Sequence, residues 1–318
     1  MKALHIGAGK IGRGFIGAQI AQSGFELTFA DVNTELVSAL NAQKSYTLHI
    51  MERDGESQTI TSFNAVEIGS EEFFERFSDA DTERWCRDMV GFADCAVDRI
   101  LPIATFDNAL DVGVERYCEW CIDRGQIVGE LPAIVGVNFT DNLEASIERK
   151  LYTVNSAHCA TAYLGAIKGY KFIHQAVTDT TIRQIIEQVM AESSAALCAK
   201  FGFDADSQQL YAQSVLRRFE NPYLGDTVAR VARDPKRKLS PILYFAYPIA
   251  MALNYNLATE VLAIATAAAL HYRSDDDTES QQLSAMVALY GVAKSAEMVT
   301  GIADKAFLRC VEQKYSDF

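Results

Sequence analysis

An α/β amino-terminal half followed by an almost wholly helical half is the fold class that three observations predict. A short apolar strand, Ala3–Ile6, runs directly into a G-x-G-x-x-G turn at Gly7–Gly12, which a helix pattern and a second strand follow. Short alternating segments separated by turn residues continue to about Ile122. Beyond Val137 apolar residues recur mostly at the 3.6-residue period of buried helix faces. The sequence therefore divides into a Rossmann-like α/β domain at 1–137, incomplete in its strand pattern, and a mostly α-helical substrate and catalytic domain at 138–318.

The length allows this. A chain of 318 residues exceeds the roughly 250–300 residues at which single cores stop growing. Hydrophobic content of 49% and charged content of 22% are ordinary for a globular protein. A net charge of −13 argues against nucleic acid or an anionic membrane surface as a partner, since either needs a basic face. The longest apolar segment, Leu257–Leu270, contains Glu260 and reads as a buried helix rather than a membrane span. Seven cysteines without a disulfide-framework spacing point to a reducing cytoplasm.

Taken in order, the first unit is the most informative. The strand–turn–helix pattern ends at Gly24, and the next strand, Glu26–Ala30, leads into Asp31. That context is what a dinucleotide site needs. Glycines give the tight turn and let the backbone approach a pyrophosphate, which then faces the free N–H groups of the helix start. The candidate cofactor residues are Gly7, Ala8, Gly9, Lys10, Ile11 and Gly12, with Asp31 and Asn33 at the end of the second strand. Asp31, 19 residues after Gly12, would bind ribose hydroxyls and repel a 2′-phosphate, which favours NAD over NADP.

Asn33–Asn41 reads as a helix, and Tyr46–Ile50 and Gln58–Phe63 as strands joined by a turn at Asp54-Gly55. Ser70–Phe77 is a short helix, and Ser78–Arg87 a polar one. Here the pattern thins. A dinucleotide fold needs further buried parallel strands, and none appears before Ala93–Leu101. Leu110–Ile122 reads as one more strand, containing the C-x-x-C of Cys118 and Cys121. No second cysteine pair completes a zinc set, so these are read as structural thiols and no metal is expected. Gly125–Val137 is a connecting segment.

Thr140–Gly165 carries the candidate chemistry. Thr140, Asp141 and Asn142 are N-cap types, and Asp141 with Glu144 suits a capping box. Leu143, Ile147, Leu151 and Val154 mark a buried face. Lys150, Asn155 and His158 share an arc of roughly 140° on a regular helix. A desolvated amine can accept an alcohol proton, while an amide and an imidazole can hold the oxygen. Such residues on a helix are equally what a solvated face contains.

Helices are further predicted over Asp179–Phe201, Asp206–Phe219, Pro241–Leu253, Leu257–Arg273, Thr278–Leu289 and Ala303–Tyr315. Between the second and third lies the most basic stretch, with Arg230, Arg233, Lys236, Arg237 and Lys238 within nine positions. It fits a solvated face or a pocket for a small anion. The aspartates at 275–277 read as helix-end chemistry rather than a metal site.

The segments MKALHIGAGKIGRGFIG, FADVN, AVDRI, TDNL, ERKLYTVNSAH, TAYLG, RFENPYL, ARDPKRKLS and HYRSDDD, in this order, closely resemble the long-chain polyol dehydrogenases. The resemblance is closest to their sugar-phosphate branch, the mannitol-1-phosphate 5-dehydrogenases. It implies an NAD-dependent oxidoreductase that interconverts D-mannitol 1-phosphate and D-fructose 6-phosphate without a metal. Lys150 would be the general base, and Asn155 and His158 would position and polarise the reacting oxygen. The pattern at Arg233–Leu239 favours a phosphorylated substrate, with Arg233, Arg237 and Lys238 as its candidate ligands. A related polyol or hexuronate dehydrogenase, or a catalytically inactive NAD-binding deletion variant, are the alternatives.

Two departures accompany the resemblance. The family has a further segment between its counterparts of Glu71–Phe77 and Ala93–Ile100, which completes the nucleotide fold and brings an asparagine to the pocket. It also has a short arginine-bearing loop where Ser240 here meets Pro241. Segments left out of the sequence, or a natural deletion, would each account for these absences.

Overall fold

A computed structural model describes residues 1–77, 81, 83, 84, 91–102 and 104–318. The chain folds as two compact units, Met1–Ser146 and Ile147–Phe318.

The first unit holds three small sheets. Strands β1 (Lys2–Ile6), β2 (Glu26–Asp31) and β5 (Phe63–Glu67) form a parallel sheet in the order β1-β2-β5. Between β1 and β2 the chain makes a π turn, Gly12–Ile16, and continues as α1 (Gly17–Gln22); α2 (Thr34–Gln43) follows β2. The hairpin β3 (Tyr46–Ile50) and β4 (Ser57–Ile60) is antiparallel, and β3 also pairs in parallel with β7 (Val112–Val114). A short helix, α3 (Glu71–Phe77), comes after β5. The third sheet joins β6 (Cys95–Asp98), β8 (Glu119–Asp123) and β9 (Val137–Thr140).

Phe15, Leu27, Phe29, Leu40, Tyr46, Leu48, Val112 and Val114 make one buried cluster linking the first two sheets. One strand expectation changes. The segment read as one strand at Leu110–Ile122 is two strands in different sheets. Glu115, only 2% exposed, turns inward and accepts the Ile100 N–H between them. The connecting segment leads into β9, and the first compact unit runs to Ser146. The helix expected at Ser78–Arg87 lies largely outside the described residues.

The second unit is helical, with the apolar periodicity buried as the sequence implies. Its main elements are α4 (Leu143–Arg149), a π turn at Lys150–Asn155, α5 (Ser156–Ile167), α6 (Ile173–Thr178), α7 (Thr180–Phe201) and α8 (Ala205–Phe219). Two short helices follow, α9 (Val228–Ala232) and α10 (Pro235–Lys238). Then come α11 (Ala246–Asn254), α12 (Glu260–His271), α13 (Thr278–Tyr290), α14 (Val292–Thr300) and α15 (Lys305–Ser316). Ser240 and Pro241 begin a turn closed by the Leu243 N–H on the Ser240 carbonyl, so α11 starts later than Pro241. Among the described residues, no helix is long and apolar enough to cross a membrane, and no group of three or more His, Cys, Asp or Glu is placed to hold a metal.

Candidate active site

The glycine turn in the first unit is built by its own backbone. Gly7 sits at φ +96°, a left-handed conformation that glycine adopts without strain. Its N–H donates to the Ala30 carbonyl at 2.7 Å. A β-carbon on Gly12 would lie 2.0 Å from the Gly7 carbonyl oxygen, whereas one on Gly9 would meet no atom within 4 Å. The first closeness makes the turn tight; the second leaves an open approach for a ligand. Asp31 Oδ2 accepts the Ala8 N–H at 2.6 Å and Oδ1 the Asn33 N–H at 2.9 Å. Asn33 caps α2 through the Leu36 N–H, and Lys10 donates to the Ala104 carbonyl at 3.3 Å. Ile11 is exposed. Sequence reasoning missed Arg13. Its buried guanidinium donates to the Ala8 and Leu110 carbonyls and so fastens the turn from behind.

The helix α4 is capped by Asn142, whose Oδ1 accepts the Ala145 N–H at 3.1 Å. The helix then widens. The Ser156 N–H bonds the Leu151 carbonyl five residues back, as a π turn requires. With about 4.4 residues per turn, this rotates Asn155 to within about 50° of Lys150 instead of roughly 140°. The widened turn thus draws the amine, the amide and the imidazole toward one line on the helix. Lys150 is half-buried, and its ammonium has no ion-pair or hydrogen-bond partner among the described residues.

Asn155 and His158 line a cavity of about 210 Å³ with Arg230, Arg233, Arg237 and Lys238; Lys150 is not part of its lining. The basic run and the catalytic helix therefore meet in one pocket. Arg233 is exposed and has no side-chain partner among the described residues. Arg237 lies 3.6 Å from Asp234. Lys238 is 7% exposed, and its ammonium donates to the Val231 and Arg233 carbonyls, which commits it to shaping the loop. The loop turns at Asp234, with φ +56°. Two groups at the start of α13 brace it: Asp277 accepts the Asp234 N–H and Glu279 the Arg237 N–H, at 2.9 and 2.8 Å. Asp277 also caps α13, in keeping with the helix-end reading.

His158 stacks on Phe219, with ring centroids 4.7 Å apart, and its Nε2 lies 2.9 Å from Asp226 Oδ2. Burial alone would raise the Asp226 pKa, but His158 and Arg230 outweigh it and hold the carboxyl below its ordinary value. Cys118 accepts a hydrogen bond from Gln19 at 3.2 Å and Cys121 is buried. A larger apolar groove of about 510 Å³ between α7 and α8 has no comparable charge cluster.

A βαβ glycine turn with a carboxylate on its backbone, and a helical unit that sets an amide and an imidazole against arginines, together define a dinucleotide-dependent oxidoreductase class. The mannitol dehydrogenase C-terminal domain matches residues 142–316, and the mannitol dehydrogenase Rossmann domain matches 1–81 and 70–136. The chain belongs to the mannitol dehydrogenase family. It is a polyol dehydrogenase by family, and the motif resemblance holds at that level. The Rossmann match comes in two pieces that overlap at 70–81.

Two solved structures share the fold. One is Pseudomonas fluorescens mannitol 2-dehydrogenase in ternary complex with NAD and D-mannitol: 17% identity, TM-score 0.72, 99% of this chain and 91% of that one. The other is D-sorbitol dehydrogenase in substrate-free form: 13% identity, TM-score 0.79, 98% and 92%.

Proposed function

We propose that this polyol dehydrogenase uses NAD and acts on a sugar phosphate, interconverting D-mannitol 1-phosphate and D-fructose 6-phosphate. The carrying observation is the pocket in which Asn155 and His158 face Arg230, Arg233 and Arg237 in a protein of net charge −13. Such a cluster suits a small dianion, because guanidinium groups offer paired donors to phosphate oxygens. The cavity is below the ~300–1,000 Å³ that larger ligands fill, a size suited to a phosphate with part of its sugar.

The residues of the glycine turn fit NAD. Gly9 leaves open the space that the pyrophosphate would take, and the Asp31 carboxylate disfavours a 2′-phosphate. When bound, NAD supplies the hydride acceptor. Lys150 takes the hydroxyl proton during oxidation and returns it during reduction. Asn155 and His158 hold the reacting oxygen, while Arg233 and Arg237 hold the phosphate and Lys238 keeps their loop in shape.

The test is NADH oxidation with fructose 6-phosphate beside fructose, on wild type and on R233Q/R237Q. The phosphorylated ketose should be preferred by wild type, and the double variant should raise its KM at least tenfold. An unchanged KM sinks the phosphate assignment. Binding of NADH with no ketose-dependent absorbance loss would indicate a catalytically inactive nucleotide binder.

A further inference from the structure

Asp226 belongs to none of the sequence motifs, yet its carboxylate touches both kinds of group in the pocket. The main chain fixes its place. Gly225, at φ +58°, ends the turn Pro222–Leu224. Thr227 pairs with Phe172 in an isolated antiparallel bridge. The Asp226 carbonyl accepts the Ile173 N–H at 2.9 Å, and the Val228 N–H donates to the Lys171 carbonyl at 3.0 Å. The main chain that carries the carboxylate, 7% exposed, is thus held by backbone bonds independent of the groups the carboxylate meets.

Those groups differ in purpose. Oδ2 faces His158 Nε2 at 2.9 Å. Oδ1 accepts from Arg230 Nε at 2.8 Å, with Arg230 Nη2 at 2.5 Å. Phe219 fixes the plane of the imidazole, which leaves the choice between its two flipped orientations about Cβ–Cγ to the carboxylate. Nε2 and Oδ2 are both buried and, among the described residues, neither has another polar partner, so each faces the other.

We propose that Asp226 is the positioning residue that sets His158 and Arg230 relative to one another, coupling the group on the reacting oxygen to a charge on the anion side. This rests on the proposed sugar-phosphate activity. An alternative account, a purely structural ion pair with Arg230, would leave the histidine untouched. The two accounts separate in a double-mutant cycle, because residues acting through one another give non-additive losses.

The experiment compares wild type, D226N, H158A and D226N/H158A in NADH-dependent reduction of fructose 6-phosphate, with Tm measured for each. D226N should lower kcat by about 10- to 100-fold, part of the 10²–10⁴ that positioned acid–base groups contribute. In the H158A background the same change should cost less than about twofold. A D226N enzyme within threefold of wild type, or an equal fold-loss in both backgrounds, overturns the proposal. If D226N does not fold, R230Q and R230Q/D226N take its place, since removing both charges leaves no buried ion unpaired. The same two criteria then apply to their kcat ratio, with and without His158. Wild type inactive on fructose 6-phosphate overturns the functional reading and this inference together; an active wild type with an unaffected variant overturns this inference alone.

Discussion

Replacing Gly12 by alanine probes the nucleotide turn where it is tightest. The added methyl would stand 2.0 Å from the Gly7 carbonyl oxygen and 2.9 Å from His5 Nε2. The imidazole can rotate away. The carbonyl cannot, because Gly7 is held at φ +96° with its N–H on Ala30. Relief to about 3 Å therefore opens the turn by about 1 Å, and overpacking of this kind costs about 1–3 kcal/mol. For a unit of this size Tm should fall by roughly 3–10 °C. An offset near 1 Å is also the scale at which a positioned group loses about 10²-fold of its effect, so the Kd for NADH should rise by about that factor. Gly9→Ala is the complementary variant. Its methyl meets no protein atom within 4 Å, so Tm should hold within about 2 °C. Affinity should still fall, because that methyl occupies the space through which a pyrophosphate approaches. Fluorescence titration with NADH and thermal melts on the two variants check both arms. If G12A binds NADH within threefold of wild type, or G9A binds it unchanged, the turn is not the pyrophosphate site.

Lys150→Ala should lower turnover of fructose 6-phosphate by at least about 10²-fold while the Kd for NADH stays within twofold. Turnover comparable to wild type would remove Lys150 from the mechanism. Asp179 provides a pH-dependent test of the helical unit. Its hydrogen bond from Lys168, then the Ile182 N–H, pull its pKa down to about 2. An unfolded aspartate titrates near 3.9, so the stabilisation is complete above about pH 4 and is lost as pH falls toward 2. Asp179→Asn keeps the α7 cap but loses the charge. The Tm gap between the two proteins should therefore narrow from pH 5 to pH 2, and a constant gap would contradict the assignment.

What the sequence revealed followed from patterns with a direct physical period. The strand, Gly7–Gly12 and Asp31 were legible because a phosphate turn needs glycines at fixed offsets. The long helices were legible because burying one face imposes the 3.6-residue repeat. The π turn at Lys150–Asn155 was not, since a widened turn leaves no mark in apolar spacing. It matters because it changes which side chains align. Helices α9 and α10 are too short to show periodicity, so the loop carrying Arg233 and Arg237 was visible only as charge. Asp226 went unnoticed for a similar reason: a lone aspartate before Thr227 reads as local capping, and its contact with His158 joins residues 68 positions apart, counted as 226 − 158.

The open side of β1 connects the fold to the question of turnover. In doubly wound folds the first strand is central, flanked by the adenosine-binding strands on one side and those of the nicotinamide half on the other. Parallel strands in that position are normally covered. Here β1 pairs, among the described residues, with β2 alone, and Leu4 and Ile6, on the sheet face opposite Leu27 and Phe29, are 40% and 68% exposed. The unpaired side of β1 among the described residues and the Rossmann match in two pieces that overlap at 70–81 both fall in this half of the chain. The glycine turn, β2 and Asp31 form the part of the fold that would take the adenosine half of a dinucleotide. Hydride transfer makes a stricter demand, because it needs the nicotinamide held still against the substrate. Binding and turnover are consequently separate observables in this protein. Turnover with fructose 6-phosphate, and not NADH affinity, is the measurement that reports whether the far side of β1 is functional.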